Sequence, residues 1–145
     1  MTTVTFYYRK TSQHLGKARL VCQLASTAYR NGHKVYVSVQ NEDQCEMLNQ
    51  MLWTFSPNSY VPHTSLTDDR DPDLEKFPVV IGVSDPPDKF NDVLISLHDE
   101  VPSFVNRFQR VVEPVDAHPE DEAKAKARFT QYQSLFESEP KTHYI

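Results

Sequence analysis

Three short runs rich in β-branched and other apolar residues, Lys34–Val39, Pro78–Val83 and Val93–Leu97, alternate with stretches of helical periodicity, and this alternation constrains the fold most. Pro78-Val79-Val80-Ile81-Gly82-Val83 is continuous, as in a central parallel strand buried on both faces. Thr3–Tyr8 sets Val4, Phe6 and Tyr8 on one face of a further strand, and Arg110–Val115 forms a last one weakened by Pro114. Between them, Leu20, Leu24 and Ala28 recur at helical spacing within Leu15–Asn31, with Val21 and Ala25 widening the stripe and Gly32 as the stop. Asn41 is a predicted N-cap, with Gln44 three residues on and Glu42 and Asp43 in the first turn. That helix carries Cys45, Leu48, Leu52 and Phe55 on one stripe. Ser56–Phe77 reads as a long connection broken by Pro57, Pro62 and Pro72, with an acidic surface loop at Thr67–Asp71. Val101–Arg107 reads as a short helix and Pro119–Glu137 as the final one. The pattern predicts a single α/β domain over 1–145, of about five strands and four helices, its mostly parallel twisted sheet covered on both faces.

At 145 residues, 39 % hydrophobic and 24 % charged, the chain has the composition of one globular domain. A net charge of −5 argues against a protein whose main task is to grip duplex DNA, since phosphate neutralisation drives that binding. The N-terminal residues lack a basic region followed by an apolar stretch, and no run approaches a membrane span, so a soluble cytoplasmic protein is expected. Cys22 and Cys45 form no CxxC pair and read as reduced, buried thiols.

The chemistry of a nucleotide enzyme is thin. The chain has three glycines, Gly16, Gly32 and Gly82. The segment after the first strand holds Gly16 alone, where a dinucleotide fingerprint needs several to bring backbone amides to the pyrophosphate. Gly16-Lys17 resembles the end of a phosphate-binding loop, but Ala18 stands where a Ser or Thr would hold Mg²⁺. The six histidines form no HxH or HxxxH pattern, so no metal site and no cofactor are expected. Ser96-Leu97-His98-Asp99-Glu100 follows a strand, yet neighbours on extended chain face opposite ways, so the cluster cannot preassemble a triad.

Two constellations remain. Leu52–His63 places Trp53 near Phe55, Tyr60 and two prolines, either as rigid anchors for a protein partner or as a satellite core. In the last helix, Lys124, Lys126 and Arg128 alternate with alanines before Phe129, Tyr132 and Phe136. Lys126 and Phe129 are neighbours at i, i+3, and Arg128 and Tyr132 at i, i+4. A cation beside a ring suits an acidic peptide ending in Phe. The alternative is a solvated charged face whose rings pack on the sheet.

Phe6-Tyr7-Tyr8, Val21-Cys22-Gln23-Leu24-Ala25, Leu52-Trp53, Ser59-Tyr60-Val61-Pro62-His63, Val93–Leu97, Arg110–Glu113 and Ala127-Arg128-Phe129 with Tyr132 follow in an order that resembles the DNA polymerase III chi subunit family. The resemblance implies a Rossmann-like fold without a nucleotide-binding loop and a non-catalytic accessory role in DNA replication. It implies two partners: the psi subunit, which tethers chi to the clamp loader, and the acidic C-terminal tail of single-stranded DNA-binding protein (SSB). By position, psi would meet Trp53, Tyr60 and Pro62. The tail would meet Lys126, Arg128 and Phe129, with Val115 at the edge and Lys124 sharing the cationic work. Glu122 and Thr130 stand where family members often carry basic residues, which implies either a weaker tail site or cationic work shared with Lys124. Two rivals stay open: a nucleotide-binding or hydrolytic enzyme on the same fold, and a direct single-stranded DNA binder using aromatic and basic residues.

Overall fold

The computed structural model describes residues 2–9, 16–54, 63–65, 78–83, 85–86 and 90–144, with only the backbone of Trp53 and of residues 63–65. Its elements are β1 (Thr3–Tyr8), α1 (Gly16–Arg30), β2 (Val35–Ser38), α2 (Glu42–Thr54), β3 (His63–Ser65), β4 (Val79–Gly82), β5 (Val93–Ser96), a 3₁₀ turn (Val105–Arg107), β6 (Arg110–Val115), α3 (Pro119–Phe136) and β7 (Lys141–Tyr144). Among the described residues the strands form one seven-stranded sheet in the order β3-β4-β2-β5-β6-β1-β7. Every pairing is parallel.

β2, β4 and β5 are buried at every position, which is why they read as unbroken apolar runs. Side-chain alternation then divides the core in two. Val35, Val37, Ile81 and Ile95 meet Val21, Cys22, Ala25, Leu48 and Leu52 of α1 and α2. Phe6, Tyr36, Val80, Leu94 and Val111 meet Ala125 and Tyr132 of α3 on the opposite face. α1 and α2 carry the chain toward β3 and α3 carries it back toward β7. Crossovers of one hand therefore place them on opposite faces. Each fully buried Val, Leu or Phe adds about 1.5–3 kcal/mol to this core.

The helix ends match their local chemistry. Gly32 adopts φ +85 at the end of α1. Its N–H donates to Tyr29 O (3.0 Å) and that of His33 to Ala28 O (3.0 Å), a Schellman closure. At α2, Asn41 Oδ1 accepts from Gln44 N (2.8 Å), while Gln44 Oε1 accepts from Gln40 N (2.9 Å), one residue before the expected partner. Cys22 and Cys45 are buried thiols that form no disulfide among the described residues. Burial pushes the Cys22 thiol up to about 12, out of nucleophilic range.

Two expectations need correction. The strand count of about five omits β3, which lies inside the expected Ser56–Phe77 connection, and β7; both are short edge strands without an apolar run. Val101–Arg107 is only the 3₁₀ turn Val105–Arg107. Pro114 sits inside β6 opposite Tyr7 of β1, two residues past the end of the β5 ladder at Val112. Phe55 and the acidic stretch Thr67–Asp71 lie outside the described residues.

Candidate functional site

α3 starts at a built N-terminus. His118 Nδ1 accepts from Glu120 N (3.3 Å), Pro119 occupies the first turn, and Glu120, Asp121 and Glu122 set negative charge against the helix dipole. Asp121 accepts from Asp116 N (2.8 Å) and pairs with Lys17 (3.1 Å), tying the helix start to that of α1. The Lys17 that resembles a phosphate-loop lysine is thus committed to a carboxylate.

The inward stripe of α3 is Ala125, Arg128 and Tyr132, all buried. Beneath it β6 points Val111, Glu113 and Val115 into the same core layer, and Glu113 is fully buried. Its carboxylate is doubly satisfied: Oε1 accepts from Arg128 Nε (3.1 Å) and Oε2 from the Tyr132 hydroxyl (2.6 Å). Arg128 Nη1 also donates to Asp99 O (3.3 Å), and Lys124 Nζ reaches Asp99 Oδ2 (3.2 Å), so α3 is pinned to the loop after β5. Burial pushes the Glu113 carboxyl up to about 7, with Arg128 and the Tyr132 O–H pulling the other way. Burial likewise raises Tyr132. Asp99 is held below the carboxylate range, chiefly by its hydrogen bond from Lys124.

This geometry redistributes the expected tail residues. Arg128 is only 2 % exposed and Val115 is 0 %, so in this structure neither offers surface to a partner. Lys124 is exposed but engaged with Asp99. Lys126 is exposed and makes no ion pair among the described residues. Phe129, three residues on, is half-buried, its ring 5.5 Å from that of Phe6. The cation-beside-ring surface of α3 therefore narrows to Lys126 and Phe129, with Arg128 and Val115 beneath. The expected psi contacts, the Trp53 side chain, Tyr60 and Pro62, lie outside the described residues.

At the carboxyl ends of β2, β4 and β5, where open parallel sheets commonly bind ligands, a cleft of about 550 Å³ is lined in part by Gln40, Asp85, His98, Asp99 and Phe104. His98 Nε2 lies 2.6 Å from Ser38 Oγ, while Ser96 Oγ accepts from the His98 backbone N–H (3.4 Å). The histidine's neighbour is Ser38, sixty residues away, which spacing along the chain could not reveal. Burial lowers the His98 pKa, favouring a neutral ring. Ser38 is completely buried, so no substrate reaches its hydroxyl. The pair is a packing contact.

Sequence reasoning also passed over Glu113 as a site residue and gave Tyr8 only as a face-mate of Val4 and Phe6. The signal was there: Glu113 shares its face with Val111 and Val115, so strand parity alone points an acid inward and requires a cation opposite it. Tyr8 shares the parity of Phe6 in the same way.

Comparison with known proteins gives this fold its context. The family model for DNA polymerase III chi subunit, HolC, matches residues 1–136. DNA polymerase III subunit chi of Pseudomonas aeruginosa is 33 % identical over 132 residues, covering 91 % of this chain and 89 % of the relative. The Haemophilus influenzae subunit is 29 % identical over 135 residues, covering 89 % and 88 %. The Escherichia coli subunit is 26 % identical over 117 residues, covering 79 % and 76 %. The chain belongs to the DNA polymerase III chi subunit family, an accessory part of the replicative polymerase.

Proposed function

We propose that the chain is a non-catalytic, cytoplasmic bridge in DNA replication, docking on psi at the clamp loader and capturing the acidic C-terminal tail of SSB. Lys126 beside Phe129 carries the tail half of this reading: an exposed ammonium with no ion pair among the described residues, next to a partly open ring. Such a pair suits a peptide whose carboxylates and terminal aromatic residue bind together. Arg128 and Val115 act from below, Arg128 by holding α3 on β6 and Val115 by filling the layer under the helix. The psi half rests on Trp53, Tyr60 and Pro62 as anchors. Loss of psi co-purification with Trp53→Ala in the full-length chain is its expected signature.

The tail half is tested by calorimetry with a synthetic acidic peptide ending in Phe. Lys126→Ala should weaken binding about two- to five-fold, as for an exposed charge pair, without moving the thermal midpoint. Equal affinities for the two proteins would remove the site. Lys126→Ala is the informative substitution, because Arg128→Ala would strip Glu113 of its counter-ion and disturb the fold itself.

A further inference from the structure

The α3 surface does not end at Phe129. Phe129 packs on Phe6 (5.5 Å), Phe6 stacks with Tyr8 (6.2 Å), and Tyr8 stacks with Tyr144 (5.3 Å, planes 22° apart). Tyr8 and Tyr144 are register partners on the parallel strands β1 and β7, so their rings stand side by side on the α3 face of the sheet. Phe6 is sealed, Tyr8 is half-buried and Tyr144 is 67 % exposed, so the row opens progressively toward the sheet edge. β7 lies beyond residues 1–136, the span matched by the family model.

We propose that this row extends the docking surface from α3 onto β7, with Tyr144 and Tyr8 receiving the aromatic end of an acidic peptide whose carboxylates lie toward Lys126. The inference rests on the tail-capture reading and assigns to it residues of the C-terminal strand. Two features match one occupant. The exposed Tyr144 ring and the partly open rings of Phe129 and Tyr8 offer offset or edge contacts to a further aromatic side chain. The two phenolic hydroxyls are donors that a carboxylate accepts, and Lys126 supplies the positive charge. Glu122 is the opposing group, since its charge acts on the Tyr8 hydroxyl.

Fluorescence anisotropy of a labelled peptide, several Asp residues followed by a terminal Phe, tests the assignment on the full-length chain. Tyr144→Ala should weaken binding about three- to ten-fold, the range of an aromatic pair. Tyr144→Phe, which keeps the ring and removes one donor, should weaken it less. With a peptide ending in Ala, Tyr144→Ala should have no effect. Wild-type affinity in Tyr144→Ala together with a loss in Lys126→Ala would overturn the extension onto β7 and leave the tail reading standing. Failure of the wild-type chain to bind the Phe-ended peptide would remove both.

Discussion

Arg128 and Glu113 set the residue-scale behaviour of α3. Removing one partner of a buried pair leaves an uncompensated charge, so above about pH 7, where Glu113 is ionised, Arg128→Ala should cost about 3–5 kcal/mol. For a chain of this size that is roughly 10 °C in Tm, measurable by calorimetry. Glu113 also imposes a pH dependence whose sign follows from burial. Its folded pKa is raised above the unfolded value, so the native state holds a proton that the unfolded chain releases. This contribution to stability is complete below the unfolded pKa of 4.5 and is lost as pH rises through about 7. Comparing Tm across that window for wild type and Glu113→Gln should show wild type losing ground to the variant as pH rises. A constant difference would mean that the Arg128 and Tyr132 contacts cancel the burial effect.

Among the elements, α1 ends where Gly32 takes φ +85, and a Cβ built there meets nothing within 4 Å. Gly32→Ala therefore carries a backbone penalty without a clash, about 1 kcal/mol. Urea unfolding should show a lower midpoint with an unchanged slope. The strands divide by position in the sheet. β2, β4 and β5 lie inside it and are buried at every residue, so their sequences announce them. β7, Lys-Thr-His-Tyr, is exposed along its whole length and pairs with β1 alone among the described strands, so no apolar pattern marks it. Its order comes from rings: Tyr144 on Tyr8 and His143 on Tyr7, both at 5.3 Å. Edge strands of this kind are defined by the neighbour they find.

For the whole molecule, the net charge of −5 opposes an acidic partner at long range while Lys126 attracts it locally. Salt screens both, so tail affinity should fall only shallowly, by less than about ten-fold between roughly 0.05 and 0.5 M salt. A protein neutralising many phosphates would lose about a thousand-fold or more over a similar range. Titrations at several salt concentrations separate the two, and a steep slope on single-stranded DNA without SSB would favour direct binding.

Local pattern was sufficient for the parallel sheet, its covering on both faces, the stop at Gly32, the cap at Asn41 and the adjacency of Lys126 to Phe129. These depend on periods of two or about 3.6 residues and on residues within one turn of each other. Helical spacing also placed Arg128 beside Tyr132, but it could not say that their shared face lies on β6 above Glu113. That depends on how a helix is rotated against a strand, which only packing decides. The same holds for Ser38 with His98 and for Tyr8 with Tyr144. Each pair joins distant parts of the chain through the register of parallel strands, and the register is set by the core that all of them bury together.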